Sequence, residues 1–224
     1  MIFRSIAIDG PSGAGKSTLA RMAAAHYGYI YLDTGAIYRC VGLYVLRKGI
    51  SSKNSAAVET LLNDIEIEIK HDCNGVQRML LNGEDVSDDI RSPEASIYAS
   101  DVSAMAAVRK FLLDKQRDFA KKADVIMDGR DIGTVVLPDA DVKIFLSAKP
   151  EVRARRRYEE LLEKGRKVTF EEVLSDMRYR DENDAAREEA PLRPAEDAVL
   201  VDTTYTDIKD SFELIKKAIE DKTR

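Results

Sequence analysis

Histidine and cysteine are scarce in this chain, with two of each in 224 residues, and tryptophan is absent. Cys40 and Cys73 form no CxxC pair and no metal-ligand spacing. That argues against a zinc ribbon or a disulfide framework and suits a reducing compartment. Neither His26 nor His71 sits in a pattern that a catalytic triad or a zinc site would need, so both are read as structural or surface residues. No apolar run approaches the ~20 residues that span a bilayer. The N-terminus lacks a basic stretch followed by a long apolar one, so no signal peptide is expected. The expectation is a soluble cytoplasmic protein without a membrane partner. An excess of positive charge is also missing: the formal net charge is −5. A chain that lives on duplex nucleic acid usually shows a basic balance. Interleaved basic and aromatic stripes, the mark of a single-strand groove, are absent too. No nucleic-acid partner is expected, and a monomer is the default. There is no internal repeat and no guanine-reading NKxD segment.

What is present begins almost at once. GPSGAGKSTLA, Gly10 to Ala20, follows the apolar Ile6-Ala7-Ile8 and matches GxxxxGK[ST]. Its glycines permit the backbone angles and close approach that a phosphate-wrapping loop requires. A helix opening near Lys16 would turn its positive end to the same anion. Lys16 adds a point charge for the β/γ-phosphates, and the Ser17 hydroxyl is placed for Mg²⁺. The loop is expected to hold a nucleoside triphosphate.

The rest of the chain alternates. Residues 2–9, 29–32, 125–127, 142–146 and 199–202 read as short buried strands, and helices are predicted between them. The helix after the second strand is expected to open near Ala36, with Tyr38 and Arg39 in its first turn. Ser92-Pro93 opens another, and a longer helix is predicted over 103–123. Ile65, Ile67 and Ile69 alternate with charged residues, and turn signals follow at Cys73-Asn74-Gly75 and Asn82-Gly83. Residues 65–86 therefore read as a small antiparallel sheet inside a βα chain. The fold class is α/β: a five-stranded parallel sheet covered by helices on both faces, with the loop at its carboxyl edge.

Charged residues gather where strands end or helices begin. Arg39 and Arg130 point to the same sheet edge as the phosphate loop, and arginine holds phosphate bidentately at any relevant pH. Phosphoryl transfer needs positioning and charge neutralisation more than covalent chemistry. An alcohol acceptor would need a base; a phosphate acceptor would need extra cations instead. A chain rich in arginine and poor in histidine favours the second. Asp33, Asp128 and Asp131 stand open as bases or as water-mediated Mg²⁺ partners. Asp128 ends an apolar strand like a Walker-B acid, or it caps a helix or pairs with Arg130.

In order, GPSGAGKSTLA, LDTGAIYR, LLNGEDVSDDIRS, DGRDIGTVVLPDADVKIFLSA and RDENDAAR resemble the bacterial cytidylate kinase family over nearly the whole chain. The resemblance implies transfer of the γ-phosphoryl group of ATP to CMP or dCMP. It implies a P-loop core (1–35, 87–150 and 166–224), an inserted monophosphate-binding lobe (36–86) and a short lid (151–165). By the same resemblance Gly10, Pro11, Ser12, Gly13, Ala14, Gly15, Lys16, Ser17 and Thr18 would bind ATP, with Ser17 and Asp128 serving Mg²⁺. Arg39, Arg130 and Arg187, with Thr34 and Tyr38 nearby, would hold the acceptor's phosphate. Ser100 (or its neighbour Ser103), Arg109 and Asp131 would face cytosine, and Arg180 and Asp184 the sugar hydroxyls. Lys16 and Arg130, with Arg153, Arg156 and Arg157 of the RxxRR lid segment, would be the catalytic cations.

Overall fold

The computed structural model describes residues 4–73 and 75–223. The first two residues of the predicted opening strand, and Asn74 in the predicted hairpin turn, lie outside these. Strand β1 (Ser5–Asp9) leads through the phosphate loop into α1 (Lys16–Tyr27), and β2 (Ile30–Asp33) into α2 (Thr34–Arg47). Gly10 has φ +143°, and a Cβ there would overlap the Leu146 carbonyl, so no other residue fits the turn out of β1. Helix α2 starts two residues before the predicted Ala36. The Asp33 carboxylate caps it by accepting from the Ala36 N–H at 2.9 Å, which puts Tyr38 and Arg39 in the second turn.

Next come α3 (Ser55–Leu61), the hairpin strands β3 (Ile67–His71) and β4 (Gln77–Leu81), and the two-residue β5 (Glu84–Asp85). These form the three-stranded antiparallel sheet expected from the alternation, though its first strand starts at Ile67 rather than Ile65. Helices α4 (Pro93–Val102) and α5 (Ala106–Ala120) follow. The single helix predicted from Ser103 is thus corrected: Ser103 ends α4 and α5 opens three residues later. Serine is the reason. The Ser103 hydroxyl donates to the Ser100 carbonyl, and its own carbonyl accepts from Arg109, which holds the break open. Strands β6 (Val125–Gly129) and β7 (Val142–Ser147), helices α6 (Pro150–Glu163) and α7 (Phe170–Ala185), strand β8 (Val199–Asp202) and helix α8 (Ile208–Thr223) complete the chain.

The main sheet has the order β2-β6-β1-β7-β8, and all its pairings are parallel. Its faces alternate along each strand. Ile6 and Ile8 pack with Leu19, Ala23 and Ile215 of α1 and α8. Ala7, Leu32 and Met127 point the other way, toward Ile132, Val136 and the α5 residues Leu113 and Phe119. Register places Asp9 beside Gly129, and Asp33 beside Asp128, at one edge. A single π-helical turn, Ile132–Val136, follows β6. No sequence pattern announced it.

The lobe has its own apolar core, running from Ala36 through α3, β3, β4 and α4 to Leu112 of α5. Residue 86, the boundary drawn from sequence, falls inside this cluster. Helices α2 and α4 cross closely at Gly42, where a Cβ would stand 2.7 Å from the Ala99 amide. A smaller cluster joins Ala154 and Leu161 of α6 to Val173 and Met177 of α7. Helix α7 opens on a capping box between Thr169 and Glu172. No helix among the described residues is long and apolar enough to cross a membrane.

Candidate active site

A cavity of about 480 Å³ opens at the carboxyl edge of the main sheet, between the phosphate loop, the lobe and α6–α7. The structure brings most of the expected residues to it. Ser12, Gly13, Gly15, Lys16, Ser17 and Thr18 line one end. Thr34, Tyr38, Arg39, Ser100, Arg109 and Asp131 line the other. Asp128, Arg130, Arg180, Asp184 and Arg187 lie in its wall, with Arg156 and Arg157 from α6. Gly10, Pro11 and Ala14 shape the loop from behind and do not line the cavity.

At the loop end, Gly13 (φ +75°) and Gly15 (φ +94°) turn the backbone, and Gly15 immediately precedes α1. The Lys16 ammonium donates to the Pro11 carbonyl at 2.8 Å, so the side chain folds back over the loop. Burial, with Arg130 nearby, pulls its pKa down to about 7. Ser17 donates to one oxygen of Asp128 at 2.9 Å, and Tyr31 donates to the other at 2.7 Å. Burial, and then the Asp33 charge, raise Asp128 above the ordinary carboxylate range. The Thr34 hydroxyl donates to the Asp128 carbonyl at 2.8 Å, which fixes β6 against the start of α2.

At the lobe end the arginines come paired. Arg39 holds Asp33 at 2.6 Å, Arg109 holds Asp131, and Asp184 accepts from Arg130 at 2.7 Å and from Arg187. Arg109 also lies over the Tyr38 ring, 5.9 Å from its centre. Both candidate serines line the cavity. The Ser103 hydroxyl accepts from Arg187 at 2.7 Å, while the Ser100 hydroxyl accepts a long 3.4 Å contact from Asn183. Burial, and Arg130 close by, bring Arg180 down to about 10. Among the described residues, eleven cationic side chains line the cavity against five carboxylates, in a protein of net charge −5. The Nε–H groups of Arg39 and Arg187 are buried without a hydrogen-bond partner among the described residues. A buried unpaired donor costs about 1–3 kcal/mol, so such groups mark places where an anion belongs.

The three arginines of the RxxRR segment differ. Arg156 donates to the Thr203 carbonyl at 2.6 Å, and Arg157 pairs with Glu160 of its own helix at 2.8 Å. Arg153 does not reach the cavity. Its buried guanidinium donates to the carbonyls of Ala148 and Ser12 and pairs with Asp181 of α7 at 2.6 Å. All three nitrogens of the group are engaged in clamping α6 and α7 to the phosphate loop, which sets Arg153 apart from Arg156 and Arg157.

Several functional neighbours escaped sequence reasoning. Gln77 of β4 accepts from the Asp33 N–H at 2.8 Å and donates to the Asp33 carbonyl at 3.2 Å. Its amide thus clasps the lobe sheet to the cap of α2. Thr203 donates to the Ala14 carbonyl at 3.0 Å, behind the loop. These contacts join residues far apart in the chain, and nothing local signals them. Asp9 carried a usable signal: a carboxylate ending a buried strand needs donors. Its two oxygens accept from the Ile132 and Gly133 N–H groups at 2.8 Å each, and burial pushes its pKa up to about 7.

The depressed pKa of Lys16 has a measurable consequence. With its pKa lowered by burial, the free site at pH 8 is expected to carry a largely neutral Lys16, and a polyphosphate on the loop to restore its charge. Binding of a nucleoside triphosphate should therefore take up close to one proton at pH 8 and almost none at pH 6. Calorimetry in buffers of differing ionisation heat reads this directly. Equal, negligible uptake at both values would show that Lys16 is already charged in the free site.

Comparison with known proteins gives the following. The family model described as cytidylate kinase matches residues 6–221. The cytidylate kinase of Caldicellulosiruptor bescii is 50% identical over 216 residues, covering 96% of this chain and 94% of that protein. The cytidylate kinase of Thermosipho melanesiensis is 48% identical over 219 residues, covering 98% of each chain. A crystal structure of an uncharacterised protein from Eubacterium ventriosum shares the fold, with a TM-score of 0.53 at 14% identity, over 97% of this chain and 98% of that one.

Proposed function

This chain belongs to the cytidylate kinase family, and from that premise we propose that it moves the γ-phosphoryl group of ATP onto the phosphate of CMP or dCMP. The observation that carries the reading is the cationic cavity with its two orphaned arginine donors, opposite the phosphate loop. Two polyanions must approach in one site, and eleven cations offset their repulsion. No general base is required, since a phosphate acceptor already offers an anionic oxygen. Two of the carboxylates agree: Asp33 and Asp184 are held by arginines that keep them below the usual carboxylate range, so they are poor proton acceptors.

In this reading the loop N–H groups and Lys16 hold the triphosphate, while Arg39, Arg130 and Arg187 hold the acceptor phosphate. Arg109 and Asp131, with Ser100 or Ser103, read the base. The amino group of cytosine donates to Asp131, and its O2 and N3 accept from Arg109. Arg180 and Asp184 face the sugar. Arg156 and Arg157 turn from Thr203 and Glu160 toward the transferring group as α6 closes, which expels water and spares ATP from hydrolysis. Arg153 keeps the base of that lid on the loop.

The donor set suits Mg²⁺. Ser17 and Asp128 offer hard oxygens 2.9 Å apart, while no cluster of three or more His, Cys, Asp or Glu among the described residues could hold a metal alone. An ion that keeps several waters and leans on substrate phosphates fits such a site. When bound, it would neutralise charge on the β/γ-phosphate oxygens. Ser17 and Asp128 would orient it, and Tyr31 would keep Asp128 aimed.

The assignment of Arg39 is directly testable. Arg39→Met should raise KM for CMP about 30-fold, with a small change in KM for ATP, because a bidentate phosphate contact is lost. Steady-state kinetics with each substrate varied in turn measure this. An unchanged KM for CMP would remove Arg39 from the acceptor site.

A further inference from the structure

We propose that Asp101 is a positioning residue that sets the pose of α7 over the cavity and thereby the strength with which the acceptor's sugar is read. The inference rests on the reading above that Arg180 and Asp184 face that sugar. Asp101 lies on α4 next to Ser100, which lines the cavity. Its carboxylate gathers three segments. One oxygen accepts from the Ser52 hydroxyl at 2.5 Å, in the loop after α2. The other accepts from the Tyr179 hydroxyl at 2.6 Å and from the Asn183 amide at 3.2 Å, both on α7. The same Asn183 amide reaches Ser100. Lys53 stands 5.4 Å from the centre of the Tyr179 ring and closes the cluster.

Spacing gives the cluster its meaning. Tyr179 and Asn183 are four residues apart and share one face of α7. Arg180 and Asp184, each the next residue, share the adjoining face and line the cavity. A tie on the first face therefore fixes the rotation of the second about the helix axis. Apart from the long Asn183–Ser100 contact beside it, the charged ties of α7 run elsewhere: Asp181 to Arg153 at the loop, Arg178 to Glu151 of α6, and Asp184 to Arg130 at β6. Asp101 is the tie to the lobe, so it sets Arg180 and Asp184 relative to the element that holds the base. A carboxylate suits the task, since it meets three neutral donors and needs to donate to none. Asparagine would keep one accepting oxygen, enough for Tyr179, and lose Ser52.

The test uses the intact enzyme and four proteins: wild type, Asp101→Ala, Asp101→Asn and Arg180→Met. KM and kcat are measured for CMP, dCMP and ATP, with melting curves to confirm folding. Asp101→Ala should raise KM for CMP about 10-fold, since misplacement of a positioning group by a fraction of an ångström carries such costs. KM for dCMP should rise less, because it lacks one hydroxyl, and KM for ATP should stay within about twofold. Asp101→Asn should recover part of the loss. A lowered melting temperature with both acceptor KM values unchanged would overturn the proposal and leave Asp101 a purely structural residue, provided Arg180→Met raises KM for CMP. Arg180→Met without effect on either acceptor would instead overturn the placement of the sugar on which the proposal rests.

Discussion

Lys16→Met is expected to lower kcat about 10³-fold, the largest single effect anywhere in the cavity. The ammonium is buried, folded over the loop and close to the Asp128–Ser17 pair, so its charge acts at short range in a site with little water to screen it. Transfer passes through a loose state with charge spread over the moving phosphoryl oxygens, and a cation fixed there stabilises it without reorganisation. Methionine keeps the length and apolar volume, so the loop should remain folded. Single-turnover kinetics with saturating ATP and CMP separate the chemical step from binding. A fall of less than about tenfold would assign Lys16 to holding the loop, through its bond to the Pro11 carbonyl, rather than to the transition state.

The second large effect concerns the base. Asp131→Asn should lower the ratio of kcat/KM for CMP over UMP by about 10–100-fold, corresponding to the cost of an unmatched buried polar group. Asp131 is buried and paired with Arg109, so its carboxylate faces the cavity with a fixed set of acceptors. In the proposed pose cytosine brings an amino donor to that position, whereas uracil would bring a carbonyl whose lone pairs meet the carboxylate. An amide can turn its NH₂ toward uracil and reverse the preference. Burial raises Asp131 above the usual carboxylate range despite Arg109, and the variant also leaves the Arg109 guanidinium without its charge partner. Some loss of melting temperature should accompany the change. KM for ATP should hold. An unchanged CMP/UMP ratio would remove Asp131 from base recognition.

Much of this arrangement was legible in the residues. The phosphate loop is local, with its strand, glycines and helix start in one continuous stretch, and local patterns survive folding. The alternation Ile65-Ile67-Ile69 announced the inserted sheet for the same reason. Ser103 misled the reading because a serine can open a helix or end one, and a contact with Arg109 decides which. The start of α2 moved because the Asp33 side chain caps it while pairing with Arg39, two tasks that no local pattern separates. The cavity's long-range ties were hidden altogether. Gln77 reaches Asp33 across 44 positions, and Asp9 reaches Ile132 across 123. Arg153 shows the limit most clearly. Within RxxRR it is indistinguishable from its neighbours and by helical spacing shares their face, yet it sits one turn earlier, at the start of α6, where Ala148, Ser12 and Asp181 take up its guanidinium while Arg156 and Arg157 line the cavity.

The most direct measurement is ADP release from ATP·Mg²⁺ with CMP, dCMP, UMP, AMP, GMP, shikimate or no acceptor. Stimulation by CMP and dCMP well above every other well is the result expected of a cavity with a phosphate loop at one end and an arginine-held, carboxylate-read base site at the other. Equal slow release in all wells would contradict it, because the eleven cations would then serve no second anion and the phosphate loop would be working alone.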